Sequence, residues 1–111
     1  MSWPREADIA GASQATLIAV GAILEALVHG PGDEKLGKVA DIMLTAGNGE
    51  IAYVVLARGG LLGVGETLHA ISWRDFTVDP DDGSLELPLS GADLDARDGF
   101  DKDHWPVSAT A

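Results

Sequence analysis

A chain of 111 residues has the size of one domain with one core, and without cysteine it has neither a disulfide nor a thiolate metal ligand. Eighteen acidic against seven basic residues leave a net charge of −11. That opposes direct binding to nucleic acid, which rests on Lys and Arg against phosphate, and opposes an anionic membrane surface. The apolar run 16–24 is broken by Gly21 and falls short of the roughly 20 residues of a membrane span. The opening residues lack a cationic secretory start, so the expectation is a cytoplasmic protein with no membrane insertion.

Residues 1–13 read as a loose N-terminal arm. Over residues 14–29, Leu17, Val20, Leu24 and Leu27 fall at helical spacing among frequent alanines, yet Gly21 interrupts them and Gly30-Pro31-Gly32 stops them. On these residues alone, helix and strand are evenly matched. After a polar turn, residues 38–45 alternate. Ala40, Ile42 and Leu44 are expected on one face, and Val39, Asp41 and Met43 on the other. Ala46-Gly47-Asn48-Gly49 is a hairpin signal, because Asn and Gly accept positive φ. The return strand 50–58 is apolar on both sides, with Ile51, Tyr53 and Val55 opposite Ala52, Val54 and Leu56. Both faces cannot line one small core. The segment 14–24, the acidic C-terminal tail with Trp105, or a second subunit must cover the outer one.

Four glycines between 59 and 65, separated by Leu61, Leu62 and Val64, mark a wide connection. Strands follow at 67–73, 76–79 and 84–89, the last two joined by Asp79-Pro80-Asp81-Asp82-Gly83. Ser90, with Asp93 three residues on, opens a short helix. Residues 98–111 form an acidic tail. Six short strands with glycine and proline turns predict an all-β barrel or sandwich.

At this point the residues resemble the PRC-barrel domain family. The resemblance lies in residues 34–41, 49–55, 59–66 and 69–73, and in the ending Asp103-His104-Trp105-Pro106. It implies a small six-stranded PRC-type β-barrel over residues 14–97, with a turn near Val20-Gly21 and a strand over about 23–29. It also implies a module for protein contact and assembly with no shared catalytic set.

No catalytic motif stands against that expectation. The glycine run lacks the Lys-Ser or Lys-Thr of a phosphate loop. The Asp79–Glu86 carboxylates do not follow calcium-loop order. Asp93, Asp95, Asp98, Asp101, Asp103 and His104 are scattered, and His29, His69 and His104 lack a nucleophile motif. The expectation is a non-enzymatic interaction or assembly module, homodimeric, with a protein partner and no cofactor or metal. Its candidate interaction surface is Tyr53, Leu61, Leu62, Val64, His69, Trp73 and Trp105. The alternative is a sensor of a small ligand or divalent metal.

Overall fold

A computed structural model describes residues 17–59, 65–79 and 83–109. A one-turn helix α1 (Val20–Ile23) precedes strand β1 (Leu27–His29). A Cβ at Gly21 would meet nothing within 4 Å, so this position in α1 does not require glycine. The expected turn near Val20-Gly21 is thus a helical turn. The strand after it is shorter than expected, because residues 24–26 serve as the link and Glu25 adopts a positive φ of 67°.

Strand β2 (Lys35–Leu44) begins earlier than the alternation predicts. Leu36 is its first core residue, and Gly37 lets it lie flush on the next strand. A Cβ on Gly37 would stand 2.1 Å from the Ala57 carbonyl oxygen, and the residue's φ is +152°. The hairpin to β3 (Ile51–Arg58) closes as expected. Thr45 N–H donates to Glu50 O at 2.8 Å, Gly49 takes φ +74°, and Asn48 Oδ1 accepts from Glu50 N–H.

The two faces of this hairpin differ from strict alternation at two places. Val39 pairs with Leu56 but Asp41 pairs with Val55, so Ala40 is an extra residue in β2. Val39 and Ile42 therefore share the inner face, whereas alternation places them apart. Nearer the turn, Met43 pairs with Tyr53 and Leu44 with Ile51, so Ala52 is extra in β3. Ile51 joins the inner core and Ala52 the outer cluster, the reverse of the sequence expectation.

Strand β4 (Thr67–Ile71) pairs with β3, and the 3-10 turn Trp73–Asp75 leads to the two-residue strands β5 (Thr77–Val78) and β6 (Leu85–Glu86). The expected Asp79–Gly83 turn is closed by Gly83 N–H on Asp79 O and Asp79 N–H on Ser84 O. Helix α2 (Gly91–Asp95) starts on the expected capping box, with Ser90 and Asp93 bonded reciprocally.

The sheet runs β4-β3-β2-β1-β6-β5, with β1 and β6 parallel and the other pairs antiparallel. Six strands and an all-β class match expectation. Closure does not: no ladder joins β4 to β5 among the described residues. Strands of two residues cannot supply a full hydrogen-bonded wall, so side chains finish the enclosure. Val28, Val39, Val54, Leu56, Ile71 and Leu85 fill the inner face, and α2 adds Leu94 as a lid residue, fully buried.

Candidate interaction surface

The outer face of β3 is covered by the chain's own C-terminal segment, one of the three covers the sequence allowed. Tyr53, Val55 and Ala70 are buried there, with Met43, Ala52, Leu68, Phe100 and Ala109 packed around them. The path of the segment explains how. After α2 it reaches the edge of β4 on the inner side. At Gly99 it passes so closely that a Cβ would stand 2.4 Å from Thr67 Cγ2 and 2.8 Å from Leu68 O. Phe100 N–H then donates to Leu68 O at 2.8 Å, and the chain continues over the outer face.

There Phe100 meets Tyr53 edge-on at 6.4 Å, and Trp105 packs on Phe100 at 5.1 Å. The Tyr53 hydroxyl donates to Pro106 O at 2.8 Å, and burial pushes this phenol's pKa up. The segment also folds on itself. Asp101 Oδ1 accepts from Asp103 N–H and lies 2.7 Å from His104 Nδ1, and Trp105 Nε1–H donates to Lys102 O. The hydrogen bond with His104 holds the Asp101 carboxyl below its ordinary range.

The inner side of the same sheet carries a polar rim beneath α2. Arg58 donates to Leu36 O at 2.8 Å and meets Asp95 at 3.3 Å, tying β2, β3 and α2 together. Glu34 accepts from Gly91 N–H at 3.0 Å, satisfying the first turn of α2. His69, opposite Leu56 in register, is 2% exposed. Burial first, then the nearby Arg58 guanidinium, lowers its pKa, so the imidazole is neutral at pH 7. Among the described residues no buried side-chain nitrogen or oxygen lacks a hydrogen-bond partner.

The PRC-barrel domain model matches residues 27–92, more than half of the 111-residue chain. This chain belongs to the PRC-barrel family. A comparison with curated proteins yields no match. The matched span of the PRC-barrel runs from β1 into α2, so both α1 and the segment that covers the outer face lie beyond it.

Among the described residues of this PRC-barrel, the expected interaction residues lie on different sides of the sheet. Tyr53 and Trp105 come together on the outer face, linked through Phe100. Trp73 sits on the opposite side, half-buried against the inner core and 6.1 Å from Phe76. His69 and Tyr53 are both buried. Leu61, Leu62 and Val64 lie outside the described residues, as do the arm 1–13 and the middle of the 79–83 turn. Among the described residues no three His, Asp or Glu side chains gather as a metal set. No described helix is long and apolar enough to cross a membrane.

Three features escaped sequence reasoning. Arg58 and Glu34 act as ties between elements, and Phe100 anchors the tail. Only Phe100 had a legible signal, in the pairing of two aromatic residues with a proline over residues 100–106. The exposed apolar residues are also instructive. Leu17, Val20, Leu24 and Leu27 are each more than one-third exposed around α1 and β1. Beside them an open groove of about 320 Å³ is lined by Leu27, His29, Lys35, Lys38, Ala57 and Glu66, among others.

Proposed function

We propose that this PRC-barrel protein is a non-enzymatic protein-interaction or assembly module that works as a homodimer in the cytoplasm. One observation carries the reading. Leu17, Ile18, Val20, Leu24 and Leu27 leave large apolar side chains in solvent within one short stretch of chain. Isolated apolar residues on a surface are ordinary, but a cluster of this kind marks a contact site. Family membership supports a general module, and the polar rim reads as structural because Arg58 and Glu34 each tie one element to another. The doubly apolar β3 adds nothing here, since the tail covers its outer face.

Light scattering behind size exclusion tests the dimer, with L24S and L27S as the surface variants. A dimer in the native chain that both variants weaken is the expected result. An unchanged assembly in the variants removes this surface from the proposal, and a monomer at every concentration removes the dimer. A crosslinked pull-down from host lysate then asks for the protein partner.

A second reading, the binding of a small ligand, draws on the groove beside Leu27, where Lys35 and Lys38 flank an apolar floor. Saturating ligand would raise the melting temperature. At a hundredfold excess over Kd the gain is about 2.7 kcal/mol, and a metabolite panel with no shift counts against it.

A further inference from the structure

We propose that two copies of the chain exchange their C-terminal segments, each segment covering the outer face of its partner's sheet. The inference rests on the dimer proposed above and concerns a different part of the surface. Three observations lead to it.

The first is that the segment is a preformed unit. Asp101, Lys102, Asp103, His104 and Trp105 are bonded among themselves. Two hydrogen bonds described between the segment and the sheet are Phe100 N–H to Leu68 O and Tyr53 Oη–H to Pro106 O. The second is the hinge. Residues 96–98, between α2 and the crossing at Gly99, are all exposed. A short exposed linker between a body and a docked segment is the usual site of exchange, because the contacts made in trans repeat those made in cis.

The third observation is what docking within one chain leaves unburied. Val107 is 95% exposed and Trp105 41% exposed, although they flank Pro106, whose carbonyl oxygen is held by the Tyr53 hydroxyl. In an exchanged pair the second body lies beside these residues and gives them a surface to meet. Exchange is reciprocal, so it produces a closed twofold dimer.

The test uses the full chain in two isotopic forms, both carrying p-benzoylphenylalanine in place of Trp105. The forms are mixed, unfolded and refolded together, then irradiated. Mass spectrometry reads links between the tail peptide and the β2–β3 peptides. Exchange predicts that heavy–light links are as frequent as same-label links. A dimer that yields only same-label links overturns the exchange and leaves the dimer standing. A monomer at every concentration overturns both. In a second variant, glycine and serine residues inserted after Arg97 lengthen the hinge without touching a buried residue. Relief of the short linker shifts the population toward monomer if the tails are exchanged. An unchanged dimer after the insertion counts against exchange.

Discussion

Gly37 shows how one backbone position holds two strands together. Its φ of +152° and the 2.1 Å approach of a would-be Cβ to Ala57 O exclude any side chain. G37A is expected to destabilise the fold by about 2–4 kcal/mol, read as a lower urea midpoint, since both strain and displacement of β3 contribute. His69 makes a pH prediction. Its pKa in the folded chain lies below the ordinary 6.5, chiefly through burial. The unfolded chain therefore binds the extra proton first as pH falls. The His69 contribution to stability is complete above about 6.5 and is lost as pH drops toward the folded value. Urea unfolding between about pH 7.5 and 5 should show that decline, and H69Q should flatten it. The sequence could place His69 on the strand face of Ile71. It could not show that Arg58 and α2 would close over that face, because these contacts join residues far apart in the chain.

Strands and turns were largely legible, because their signals are local. Asn48-Gly49, the Asp79–Gly83 turn and the Ser90–Asp93 cap each work through neighbouring backbone groups. The two extra residues, Ala40 and Ala52, were not legible. Alanine fits either face and carries no bulge signature, so strict alternation runs through both and sets Val39 and Ile51 on the wrong sides. The docked C-terminal segment yields a matched pair of predictions. Y53F removes the bond to Pro106 and is expected to cost about 0.5–1.5 kcal/mol. F100A removes the aromatic anchor and should cost more, about 2–3 kcal/mol, because it leaves a gap against Tyr53. Hydrogen exchange at β3 and β4 should rise in F100A before global stability is lost.

Across the whole molecule, eighteen carboxylates against seven cations set up self-repulsion that the compact state must bear. Salt screens such repulsion over about 10 Å at 0.1 M. Moderate sodium chloride is therefore expected to raise the melting temperature. A fall would mean that pairs such as Lys38–Glu25 and Arg58–Asp95 outweigh the net charge. At this scale the sequence posed the right question about β3 but offered three answers. Burial on both faces follows from alternation alone. Which segment supplies the outer cover depends on where α2 ends and on the lack of a side chain at Gly99, and neither is a matter of periodicity.

The crossing at Gly99 has a consequence for solubility. Strand β4 ends the sheet on one side, and an open strand of this kind invites stacking with strands of other molecules. At the other end β5 is only two residues long, too short to template much. The Gly99–Phe100 passage lays backbone directly over the longer rim at Leu68 and then turns away from the sheet plane. It thereby blocks the rim without extending it. A chain truncated after Arg97 would expose that rim together with the apolar face behind it. The expected outcome is loss to inclusion bodies or thioflavin-positive aggregates, well beyond what the missing contacts alone would cost in stability.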